Sequence, residues 1–182
     1  MFEEYYGKDA VAQDQFSHEL ESAKQLALKF ISTRMRTTQE VTEHLRKKGF
    51  SREQIEAAIA FLHAYQYLDD EAYCRAWIHD RIRFHPCGRQ KMAVELRKKI
   101  SNRQLITDSL AAYFSFEEEL TLAKAAAEQK IRNRTGKKHI SREQLSRFLY
   151  TRGYSSSIIA AVCAEIHFSE TSPDDGWWQD EL

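Results

Sequence analysis

Apolar residues recur along most of this chain at spacings of three and four, the mark of amphipathic helices. From Leu20 to about Met35, Ala23, Leu26, Ala27, Phe30 and Ile31 share one face. Thr37, followed three residues on by Glu40, forms a capping box. It opens a helix that carries Val41 and Leu45 and ends in Arg46-Lys47-Lys48-Gly49, where the glycine supplies the C-terminal stop. Ser51 with Gln54 opens a third helix, with Ile55, Ala58, Ile59 and Leu62 inward. Short joints between these segments predict one three-helix unit.

The pattern then repeats. Asp70–Phe84 reads as a helix with Ala72, Tyr73, Ala76, Trp77 and Ile78 at helical spacing. Asp69 or Asp70 caps its first turn, and the acids suit the positive end of its dipole. Pro86 and Gly88 break the chain, Met92, Ala93 and Leu96 mark a second helix ending in Arg97-Lys98-Lys99, and Leu105, Ile106 and Leu110 mark a third. The last unit begins near Phe116 with Leu120, Ala123, Ala127 and Ile131, then meets a basic loop, Arg132–His139. Ser141 and Gln144 cap a helix that closes at Arg152-Gly153, and a final helix carries Ile158, Ile159, Val162 and Ile166.

The segments EHLRKKGFSREQI at 43–55, VELRKKISNRQL at 94–105 and RFLYTRGYSSSII at 147–159 align, so Leu45, Leu96 and Leu149 correspond. Repeats of about this length signal stacked helical units that bury their faces partly against neighbours. The expected fold is all-α, an elongated array of three tandem three-helix, helix-turn-helix-like repeats at 20–68, 69–114 and 115–167. An acidic, partly disordered segment (1–19) precedes them and an acidic tail (168–182) follows.

Charge sharpens the picture. The formal net charge is zero, but residues 20–166 hold 26 Lys or Arg against 17 Asp or Glu, a net of +9, and the two ends carry the compensating acids. Such a body suits a polyanion or an acidic protein groove. Cations recur at the end of each second helix: Arg46, Lys47 and Lys48, then Arg97, Lys98 and Lys99, then a single Arg152. Helix C-termini favour cations by roughly 0.3–1 kcal/mol each, which explains part of the clustering. It does not explain Arg81, Arg83, Arg89 and Lys91 in the intervening stretch, or Arg132, Arg134, Lys137 and Lys138 in the next. These ten, Arg46, Lys47, Lys48, Arg81, Arg83, Arg89, Lys91, Arg97, Lys98 and Lys99, are the candidate partner-binding residues.

No P-loop glycine run and no GxSxG motif occurs, so no catalytic residues and no cofactor are expected. His79, His85 and Cys87 cluster only loosely, and Cys74, Cys87 and Cys163 form no CxxC pair, so no metal site is expected and the thiols read as core or surface residues. No run of about 18 apolar residues is present, and the N-terminus lacks the plan of a signal peptide, which predicts a cytoplasmic protein without a membrane partner. A base-reading helix needs Arg, Asn or Gln at its exposed start, and only Asn102, Arg103 and Gln104 come close.

Taken in order and spacing, LDDEAYCRAWIHDR at 68–81, Gly88, VELRKK at 94–99, FLYTRGY at 148–154 and HLRKKGFSREQI at 44–55 resemble the RecX family of bacterial regulatory proteins. Two departures stand out. The family usually has Gly where this chain has Gln66, and Lys-Gly-Ile where this chain has Lys99-Ile100. The resemblance implies a monomer that binds the RecA recombinase filament in its groove and limits its ATPase, strand-exchange and SOS co-protease activities, with nonspecific DNA contact. The alternative is a regulator that binds duplex DNA alone through helix-turn-helix units.

Overall fold

The computed structural model describes residues 3–133 and 140–166. Among them the secondary structure is helical: α1 (Glu3–Ile31), α2 (Thr38–Lys47), α3 (Arg52–Ala64), α4 (Asp70–Phe84), α5 (Arg89–Leu96), α6 (Arg103–Tyr113), α7 (Phe116–Arg132), α8 (Arg142–Thr151) and α9 (Ser156–Glu165). The chain is an all-α helical repeat array. None of these helices is long and apolar enough to cross a membrane.

The caps follow the sequence. Thr37 and Glu40 form a reciprocal box at α2, as Ser51 and Gln54 do at α3. Ser115 and Glu118 form a further box at α7 that sequence reading missed. Asp69 caps α4, and Ser141 and Ser155 cap α8 and α9.

The expected irregular segment 1–19 is corrected: α1 is already helical at Glu3. This stretch lacks an apolar stripe but is rich in helix-forming polar residues, and near its end Gln15 donates to Glu19, one turn on, at 3.1 Å. The helix also ends at Ile31, short of Met35, because the Ser32 and Thr33 hydroxyls donate to the Lys29 and Phe30 carbonyls. The tail at 168–182 lies outside the described residues.

The helices fall into two compact units, one of residues up to 85 with 93–113, the other of 86–92 with those from 114 onward. In the first unit α3 packs on α1, with α2 against both, and α6 packs on α4. Ala23, Ala27, Val41, Leu45, Ala58 and Leu62 form the fully buried centre of its first repeat. In the second unit α9 packs on α7 and α8 touches both. Ala123, Ala127, Leu145, Leu149, Tyr154 and Ile158 are buried there. Small buried residues, Ala23 and Ala27 on α1 and Ala123 and Ala127 on α7, allow close approach of α3 and α9.

The division cuts through the second repeat rather than between repeats. Its cause is local: the Gly88 and Gln90 amides donate to the Arg152 and Gly153 carbonyls at 2.9 and 3.1 Å, which fastens residues 86–92 to the α8–α9 joint.

Candidate partner-binding surface

The acids that open α4 are structural. Asp69 accepts from the Ala72 amide of its own helix at 2.9 Å. Asp70 instead accepts from the Thr38 amide at 2.8 Å, so it caps α2 of the preceding repeat. Glu71 accepts from the Tyr113 hydroxyl at 3.3 Å. In the second unit Glu119, almost fully buried, accepts from the Arg89 amide at 2.8 Å and so caps α5. Asp70 and Glu119 each stand four residues before a buried core residue, Cys74 and Ala123. Glu19 stands four before buried Ala23 and accepts from Gln54 at 2.6 Å.

Two kinds of turn carry the basic clusters. After α2 the Gly49 and Phe50 amides bond the Arg46 and Leu45 carbonyls, with Gly49 at φ +90. After α8 the Gly153 and Tyr154 amides bond the Tyr150 and Leu149 carbonyls, with Gly153 at φ +81. Both are Schellman closures. After α5 the Ile100 amide bonds the Leu96 carbonyl at 2.9 Å instead. The second repeat is one residue shorter here than the other two, with residues 96–100 against 45–50 and 149–154, and the turn closes without a left-handed residue.

The other departure is tolerated under strain. Gln66 adopts φ +58, and the Gln66 and Tyr67 amides complete a Schellman closure on the His63 and Leu62 carbonyls. Glycine would adopt this conformation without a Cβ penalty.

The ten candidate basic residues separate into two groups. Arg46, Lys47, Lys48, Arg83, Lys91, Arg97 and Lys98 are exposed. The other three are half-buried and engaged with the fold. Lys99 donates to Glu40 at 2.6 Å, while its carbonyl accepts from the Thr37 hydroxyl at 2.6 Å. Arg81 pairs with Glu95. Arg89 lies 3.6 Å from Glu119 and donates to the Phe114 carbonyl. The structure thus places Arg97 and Lys98 beside the N-terminus of α2, and Arg46, Lys47 and Lys48 at its C-terminus. A helix of 10 residues sets these clusters about 15 Å apart.

The electrostatics agree. His44, stacked on Phe30 at 4.0 Å, has its pKa lowered by burial first and then by the charges of Lys48, Arg36 and Lys47. Tyr73 and Trp77 are half-buried, and the Arg81 guanidinium lies 5.4 Å over the Trp77 ring. Burial raises the pKa of Tyr73 and of the Cys74 thiol.

Cys74, Cys87 and Cys163 are all buried. Among the described residues no three His, Cys, Asp or Glu side chains group as metal ligands. Asn102 is spent as a cap, its side chain accepting from the Leu105 amide at 3.1 Å, and Gln104 bonds Asp108 at 2.8 Å. In the basic loop, Arg132 is exposed, while Arg134, Lys137 and Lys138 lie outside the described residues.

A groove of about 650 Å³ between α7 and α8, lined by Lys130, Gln144, Arg147 and Phe148, was not singled out from sequence. Lys130 and Arg152 both stack on the Phe148 ring, at 5.2 and 4.6 Å. The pattern that could have shown it is Gln144, Arg147 and Phe148 at spacings of three and four on α8.

Residues 23–62 match the model of the first three-helix domain of RecX, and residues 69–108 match that of the second. The chain is 33% identical over 159 residues to the regulatory protein RecX of Geobacillus thermodenitrificans, covering 86% of this chain. It is 33% identical over 171 residues to that of Clostridium acetobutylicum, covering 92% of this chain. The chain belongs to the RecX family. It spans 59% of the length of the Geobacillus relative and 77% of the Clostridium one. The crystal structure of RecX from Lactobacillus salivarius superposes with a TM-score of 0.74 at 23% identity, covering 82% of this chain and 97% of that one. That likeness speaks to the fold. Within the RecX domains matched here, the exposed clusters at the two ends of α2 sit one at residues 46–48 in the first domain and one at 97–98 in the second.

Proposed function

We propose that this chain is a noncatalytic regulator that binds the RecA recombinase filament and limits its ATPase, strand-exchange and SOS co-protease activities. The observation that supports this most is the pair of exposed basic turns about 15 Å apart along α2. Repeated positive turns suit a repeating acidic surface or the phosphates of filament-bound DNA. Arg46, Lys47, Lys48, Arg97 and Lys98 make the first contacts in this reading, with Arg83 of the same unit adding to them, and Lys91 offers a charge on the other unit by itself. Arg81, Arg89 and Lys99 act indirectly, by fixing the turns. The protein works in the cytoplasm as a monomer.

The test is RecA ATP hydrolysis on single-stranded DNA with this protein titrated well below one per RecA. A fall at such ratios supports a filament modulator. Unchanged hydrolysis in a folded sample removes the inhibitory reading and leaves binding to duplex DNA to be measured. The variant R97E/K98E should bind the filament more weakly and with a shallower salt dependence, because the contacts are electrostatic. Lys99 is left intact in that variant, since its loss would disturb Glu40 and the fold.

A further inference from the structure

The groove between α8 and α9 has no partner among the described residues. It is a cavity of about 480 Å³ whose apolar wall comes from Tyr150, Ile159, Ala160 and Cys163, and whose rim carries Arg142 and Arg147. Tyr150 is 66% exposed, the most exposed large hydrophobic side chain described. An apolar face rimmed by charge marks a docking site. The residues lining the groove include no acid.

The chain itself contains an occupant of matching chemistry. Residues 167–182, HFSETSPDDGWWQDEL, place Trp177 and Trp178 between Asp174 and Asp175 on one side and Asp180 and Glu181 on the other, with no Lys or Arg. We propose that this segment folds back onto the α8–α9 groove of its own chain, seating an indole against Tyr150 and Ala160 while its carboxylates meet Arg142 and Arg147.

Reach permits it. The described chain leaves α9 at Ile166, and the eleven residues from there to Trp177 can span up to roughly 36 Å. α9, with 10 residues, is about 15 Å long, so the segment can reverse and run the full groove. Ser172, Pro173 and Gly176 are residue types that favour such a reversal. The α7–α8 groove is the poorer host for an indole, because its aromatic wall, Phe148, is already stacked by Lys130 and Arg152. A docked tail covers Arg142 and Arg147 against other anionic partners. The inference does not depend on the RecA reading.

The experiment uses the full chain carrying Trp77→Phe, which leaves only the two tail tryptophans. Their emission maximum and acrylamide quenching are measured in this background, then with Arg142→Glu/Arg147→Glu, with Ala160→Glu, and with Lys130→Glu. Circular dichroism verifies the helices in each. Docking predicts blue-shifted, protected emission that moves to the urea-unfolded position in the first two variants and stays put in the third. Emission already at the unfolded position in the parent overturns the proposal. So does protection that survives both groove variants, protection lost with Lys130→Glu, which assigns the other groove, or protection lost on dilution, which assigns a second copy.

Discussion

The backbone N–H of Thr38 donates to Asp70 Oδ1 at 2.8 Å, so a side chain at the start of the second repeat caps a helix of the first. Asp69, its neighbour, caps its own helix. The two adjacent aspartates therefore do different work. Each replacement by alanine should cost about 1 kcal/mol, the usual worth of a helix cap. Chemical denaturation measures the totals, and hydrogen exchange separates the roles. Asp70→Ala should speed exchange of the Thr38 amide and leave Ala72 alone, and Asp69→Ala should do the reverse. Equal effects on both amides would refute the division.

Gln66 offers a stabilising substitution. Its φ of +58 is a conformation that costs an L-residue roughly 1–2 kcal/mol, partly offset by the greater unfolded-state freedom of glycine. Gln66→Gly should raise stability by about 0.5–1 kcal/mol. A thermal midpoint that falls instead would mean that the exposed glutamine makes a compensating contact.

Gly49 and Gly153 close equivalent turns but face different neighbours. A Cβ on Gly49 meets nothing within 4 Å, whereas one on Gly153 would lie 2.4 Å from Lys91 Cβ and 2.5 Å from its backbone nitrogen. Gly49→Ala should cost only the left-handed penalty, about 1 kcal/mol. Gly153→Ala should cost clearly more, because residues 88–91 must move away from the Gly153 carbonyl they bond. Comparison of the two denaturation midpoints tests this, and equal losses would count against the tight approach.

Glu40 links stability to pH. Burial alone would raise its pKa, but hydrogen bonds from Lys99 and the Thr37 backbone, with the charges of Lys99 and Arg34, together pull it below the ordinary 4.5. A depressed carboxylate contributes stability that is present above the unfolded pKa and lost as pH falls through the folded one. Glu40→Gln should therefore be less stable than the parent at neutral pH, and the gap should close as pH drops below 4.5. Urea titrations across that range would show it, and a gap constant with pH would assign the loss to packing.

The sequence by itself determined most of the helices, the caps made within one turn and the repetition. Those features are set by neighbours three and four residues apart, so Thr37 with Glu40, Ser51 with Gln54, and Gly49 after Leu45 are legible as written. The resemblance to RecX rested on the same local segments, and so did the grouping of cations at helix ends. Only the tertiary structure decided what each charge does. Arg81, Arg89 and Lys99 look like Arg83, Lys91 and Lys98 in sequence, but the first three face carboxylates brought from 14 to 59 residues away. Asp70 looks like a cap for its own helix and serves another. Such partners are set by how helices pack rather than by helical period, so no local pattern encodes them. The start of α1 shows the converse: it is helical although its apolar pattern was too weak to read.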